Sequence, residues 1–161
     1  MYLRRFRLAE FIKDGEDHGM YAEAHDAFKV CSICPIDDPQ TAEILTAAAE
    51  LERHDKASFR MAMAKILKIS TLGTPIKEHY DKKQCHEAFE FDYNGKHYTV
   101  WRIRNNDLRL LFFYGNDHII LLTDALAKRK DNFSQAEINR STEVIKRYLN
   151  AATYTIIEEH K

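Results

Sequence analysis

Between Glu87 and Leu126 the chain reverses three times through turns short enough to be closed by hydrogen bonds, and this constrains the fold more than any other feature. The run AFEFDY-NG-KHYTVWRIR sets Asn94-Gly95 between two strand-like segments. That dipeptide supplies the positive φ angles of a two-residue hairpin turn. A second turn at Asn105-Asn106-Asp107 leads into LRLLFFY, and a third at Gly115-Asn116-Asp117 leads into HIILLTDAL. Four consecutive antiparallel strands follow from these signals. Upstream, FKVCSIC (28–34) is rich in β-formers and stops at Pro35, which reads as an earlier strand. Asp38 as N-cap and Pro39 at the first position open a helix with Ala42, Leu45, Ala49 and Leu51 apolar. A second helix buries Phe59, Met63, Ile66, Leu67 and Ile69 and ends at Gly73 and Pro75. Ser134 with Glu137 three residues on is a capping-box pattern for a last helix, from about Gln135 to Asn150 or beyond. Strand, helical hairpin, meander and helix make an α+β fold.

The start of the chain is read separately. Leu3, Phe6, Leu8, Phe11 and Ile12 predict a short helix, Gly15 to Gly19 a turn, and Met20 the start of another helical stretch. The division is therefore a helical extension over 1–27 and a main domain over 28–161. A chain of 161 residues is too short for two independent cores. The basic start meets acidic residues before any long apolar run, which argues against a secretory signal. No apolar run approaches the roughly 18 residues a membrane span needs. Three cysteines without a secretion signal point to a reducing compartment. The expected location is cytoplasmic, with no membrane partner.

Charge is unevenly spread. Net charge is −1, yet residues 1–58 carry seven basic and twelve acidic side chains while 59–161 carry seventeen and thirteen. The segment 96–130 holds Lys96, Arg102, Arg104, Arg109, Lys128, Arg129 and Lys130 against Asp107, Asp117 and Asp124. A basic segment of this kind is compatible with phosphate binding. It is equally compatible with a solvated surface of mixed charge. Arg102 and Arg104 are two apart on one strand and share a face, with Trp101 and Ile103 on the other. Arg109 opens the adjacent strand just across the turn.

The run WRIRNNDLRLLFFYGNDHIILLTDALAKRKDNFSQAEINR (101–140) resembles the C-terminal half of the RelE/ParE toxin superfamily, especially the branch with HigB and phage Gp49-like proteins. The LGTP connection (72–75) fits that order too. The resemblance implies a RelE-like fold, with an N-terminal helical hairpin packed on a mainly antiparallel four- to five-stranded sheet and a C-terminal helix. It implies the toxin of a type II toxin–antitoxin pair, carried by a phage or its host: a metal-independent endoribonuclease cleaving mRNA on the ribosome. Its partners would be mRNA, the ribosome and a small antitoxin; a homodimer is compatible with it. By the same resemblance Arg102 and Arg104 contact RNA or move protons, Arg109 binds phosphate, and Arg129 stabilises the transition state. Those four form the expected catalytic set. Lys128 and Lys130 flank Arg129, Phe133 offers a ring for base stacking, and Lys96 belongs to the same basic segment. These four are the expected RNA-binding residues. No cofactor is expected.

The pattern departs from that family just after the Lys/Arg cluster, where a Tyr or His is usual and this chain has Asp131, Asn132, Phe133, Ser134 and Gln135. His97, Tyr98, Tyr114 and His118 are the other sources of a base. Without such a base, a DNA gyrase inhibitor of the same fold is the alternative, as is an interaction protein whose acidic N-terminal segment masks its own basic sheet. Cys31-Ser32-Ile33-Cys34 with Cys85-His86 resembles zinc ligation only superficially, because residues three apart on a strand point to opposite faces. No metal is expected.

Overall fold

The meander forms where turn chemistry demands it. The structure, a computed structural model, describes residues 1–12, 27–70, 83–129 and 132–159. Strands β3 (Cys85–Tyr93) and β4 (Lys96–Asn105) are joined by Asn94 and Gly95 at φ of 50° and 75°. β5 (Leu108–Tyr114) follows a turn in which Asn106 takes φ of 53°, so Asn105 belongs to β4 and the turn is two residues long. β6 (Ile119–Ala127) follows Asp117 and His118, both near φ of 57°. Asn, Asp and His carry these left-handed conformations more readily than bulkier side chains do.

The sheet is larger and more mixed than expected. β6 pairs in parallel with β2 (Lys29–Cys34), β2 pairs antiparallel with β1 (Tyr2–Arg5), and β1 pairs in parallel with β7 (Thr155–Glu158). The order is β3-β4-β5-β6-β2-β1-β7, seven strands in one mixed sheet. This overturns the RelE-like expectation of a mainly antiparallel sheet of four to five strands with a terminal helix. The segment expected to open a helical extension is instead β1 and a 3-10 turn, Leu8–Glu10. Four residues contain too little periodicity to tell strand from helix. What decides is the partner: β1 sits between β2 and β7, so both its edges are hydrogen-bonded. The expected turn at Gly15 to Gly19, the helix from Met20 and the LGTP connection lie outside the described residues.

Helices cover both faces. A 3-10 turn (Pro39–Thr41) capped by Asp38 precedes α1 (Glu43–Ala49), and α2 (Arg53–Ser70) follows. Their side of the sheet buries Phe6, Met63, Ile66, Ile103, Leu110, Phe112 and Leu122. On the other side α3 (Gln135–Asn150), opened by the Ser134–Glu137 capping box, packs Val144, Ile145 and Tyr148 on Leu3, Cys31, Leu111, Phe113 and Leu121. Two neighbouring pairs of strands part company along their length. β4 leaves β5 beyond Trp101↔Phe112, and β2 leaves β6 beyond Cys31↔Leu121. No helix among the described residues is long and apolar enough to cross a membrane.

Candidate nucleic-acid interface and the cleft beside β6

Register places the arginines. Arg104 lies directly opposite Arg109, and Arg102 opposite Leu111, whose side chain packs under α3. All three arginines therefore share the α3 face: spacing predicts this for Arg102 and Arg104, and the two-residue turn adds Arg109. Their depths differ. Arg102 and Arg109 are each only 1% exposed, whereas Arg104 is half-buried. Arg102 Nη1 donates to the Lys83 carbonyl at 2.8 Å. The Asn106 carbonyl accepts from both Arg104 Nε (3.1 Å) and Arg109 Nη1 (2.9 Å), which draws two guanidiniums to one oxygen.

The end of β6 completes this corner. The Lys128 amide donates to the Asp107 carbonyl, tying the chain beyond β6 to the β4–β5 turn. Lys128 Nζ bonds Glu137 (2.6 Å) and the Asn132 carbonyl (2.7 Å), and lies 4.9 Å over the Phe133 ring. Burial works against the Glu137 charge, but Lys128 and the Ser134 amide outweigh it and hold the carboxyl below its usual range. Arg129 is exposed. Phe133 packs edge-on against Phe89 at 5.8 Å, so its ring is a wall of the core. Lys96 begins β4, eight residues from Arg104 and so about 26 Å away along a strand. It does not join the corner. Lys130 lies outside the described residues.

His86, which the sequence offers only beside Cys85 as a superficial zinc pattern, takes a different place in the structure. Counting back from the Asn94-Gly95 turn places His86 opposite Ile103, on the α1–α2 side. A bulge between Glu87 and Phe89 shifts the register by one, so His86 lies opposite Arg102. A one-residue slip exchanges the faces, bringing an imidazole to the arginine side, with Nδ1 2.6 Å from the Glu87 carbonyl oxygen. The bulge has no signal in the alternating pattern EAFEF.

A second feature is a cleft of about 900 Å³ that opens where β2 and β6 part. Its walls are α1 and α3, its floor Thr123–Ala127, and Pro35 closes one end. Arg147 of α3 bridges the walls with a two-pronged ion pair to Glu43 of α1, at 2.6 and 2.8 Å. Asp124 accepts from Arg140 Nε at 3.1 Å and from its neighbour's amide, Ala125 N, at 2.9 Å. Burial pushes the Asp124 carboxyl up, and Arg140 only partly opposes it.

The three thiols are buried. Cys31 faces α3 while Cys34 and Cys85 face the other core, and burial drives the Cys31 thiol to about 12. Glu52, His54 and Asp55 at the start of α2 place their ligand atoms within 4.8 Å of one another. No family model, curated protein or solved structure matches the chain.

Proposed function

We propose that the corner whose outer cations are Arg104 and Arg129, backed by Arg109 and Lys128, binds the RNA backbone, and that the chain is a metal-independent endoribonuclease. The observation that carries this reading is the Arg104–Arg109 pair. Like charges directly opposite on neighbouring strands destabilise a sheet, and here both guanidiniums also lean on the one Asn106 carbonyl. A phosphate seated between Arg104 and the exposed Arg129 offsets that repulsion, and the planar guanidinium fork suits its oxygens. Arg102 and Arg109, being buried, position the outer cations; they do not touch RNA themselves. The 2′-oxygen attacks phosphorus and gives its proton to His86. The P–O5′ bond breaks, the 5′-oxygen takes a proton from solvent water and the proton on His86 returns to solvent, producing a 2′,3′-cyclic phosphate and a 5′-hydroxyl. The likeness of 101–140 to RelE/ParE toxins supports mRNA on the ribosome as substrate and a small antitoxin as partner.

The test is binding and cleavage of single-stranded RNA in EDTA. Arg104→Gln and Arg129→Gln should each weaken binding about tenfold, matching the ~1.5–3 kcal/mol of a charged hydrogen bond, and flatten the salt dependence. His86→Ala should abolish cleavage and leave binding intact. RNA affinity that is unchanged in the double variant sinks the reading.

A further inference from the structure

β6 is an interior strand with an open edge. One edge pairs with β5 along the strand, but the other meets β2 only over Lys29–Cys31 against Ile119–Leu121. The phase of the ladder tells which groups face the gap. The Lys128 amide donates to the Asp107 carbonyl, so by the alternation of antiparallel pairing Arg109–Leu126 and Leu111–Asp124 are the pairs that exchange hydrogen bonds. Ala125 and Ala127 therefore turn their N–H and C=O groups into the cleft. Ala125 bears this out, since its N–H is taken by the Asp124 carboxylate. An open edge is a template for another strand, and an inward-turned charge is one way a protein guards it.

The cleft's chemistry narrows the occupant. Glu43 is paired with Arg147 and Asp124 with Arg140, while Glu50 and Glu143 are exposed and Glu143 adds a second carboxylate acting on Arg147, so four carboxylates face two arginines. The rim thus carries an acidic surplus. The walls between are apolar, with Leu51, Ala47 and Val144. We propose that the cleft takes an extended segment of a partner protein, added to β6 as a strand, in which apolar residues alternate with Lys or Arg. Backbone bonds to Ala125 and Ala127 supply affinity, and the alternating side chains supply specificity. The six residues Leu122–Ala127 span about 20 Å, room for a strand of that length. The bound segment displaces the Asp124 carboxylate from Ala125 N–H and leaves it to a basic side chain.

The probe is the blocked hexapeptide acetyl-Lys-Val-Lys-Val-Lys-Val-amide, titrated into the full chain while amide exchange is followed by NMR. Binding should slow exchange at Ala125 and Ala127 at least tenfold and leave the β3 amides unchanged. Glu replacing Lys throughout the peptide should weaken binding at least tenfold. So should N-methylation of the peptide at alternate residues, which removes the donors a strand needs. Ala47→Trp, which fills the cleft from α1, should block the peptide while keeping the wild-type spectrum elsewhere. No slowing at Ala125 and Ala127, or equal binding of the N-methylated peptide, overturns the proposal. Equal binding of the Glu peptide overturns its basic partner.

Discussion

The two halves of the sheet are held together by different means. In β3 through β6 each strand pairs with the next in sequence, and each connection is a tight turn. In β2, β1 and β7 the partners are remote: Tyr2 pairs with Thr155, and the Met1 carbonyl accepts from the Thr155 amide. The first half closes small loops at little entropic cost; the second closes a loop of nearly the whole chain. Side chains reinforce the remote half. Arg4 bonds Glu10 and the Pro39 carbonyl and approaches Glu159 at 3.8 Å, while Arg7 bonds Glu158 at 2.6 Å. The lesson is that turn chemistry builds the meander, whereas charge pairs and a shared edge recruit the terminal strands.

The sharpest way to break that contrast is to weaken the meander core. Phe112 is fully buried between the sheet and α2 and packs edge-on to Tyr114 at 5.6 Å. Phe112→Ala should cost about 3–5 kcal/mol, the usual range for a buried aromatic truncated to Ala. Urea unfolding followed by circular dichroism measures it. A loss below about 1 kcal/mol would mean that the meander is not the stabilising half.

The same contrast explains what was legible in the sequence. Asn94-Gly95, Asn106 and Asp117 announce their turns because few residues tolerate positive φ. The shared face of Arg102 and Arg104 follows from spacing alone. Their different depths do not, because the Lys83 carbonyl that receives Arg102 comes from the neighbouring β3 side. β1 and β7 carry no signal of their own, being four residues each and stabilised by one another. The cleft beside β6 exists because parallel pairing stops after three residues, a long-range fact no local pattern encodes.

An intermediate effect is expected where the meander meets α3. A Cβ on Gly115 would lie 2.5 Å from the Tyr148 hydroxyl oxygen, which accepts a hydrogen bond from the Asn116 amide at 3.1 Å. Tyr148 is held from behind by Phe113 and Tyr154, at centroid distances of 6.4 and 6.3 Å. Gly115→Ala must therefore displace the phenol and lose its bond, at about 1–3 kcal/mol, the ordinary cost of overpacking. Tyr148→Phe as background should absorb part of that cost, since it removes the nearest clashing atom. Equal cost in both backgrounds would place the strain in the β5–β6 turn rather than at α3.

The smallest effect belongs to the remote half and tests it most directly. Arg7 and Glu158 pair across the β1–β7 boundary, yet their side chains are 45% and 40% exposed. Water and salt screen such a pair, so a double-mutant cycle of Arg7→Gln and Glu158→Gln should give a coupling of about 0.2–1 kcal/mol. That coupling should shrink as salt rises toward 1 M, where the Debye length falls to about 3 Å. Global stability is a blunt readout for this pair; amide exchange at Thr155 and Ile157, the β7 residues whose N–H groups face β1, is the finer one. If either single variant speeds exchange there while Leu110 and Leu121 stay protected, β7 opens independently of the meander. If exchange rises everywhere together, the terminal strands and the meander form one cooperative unit, and the contrast between the halves is one of assembly rather than of stability.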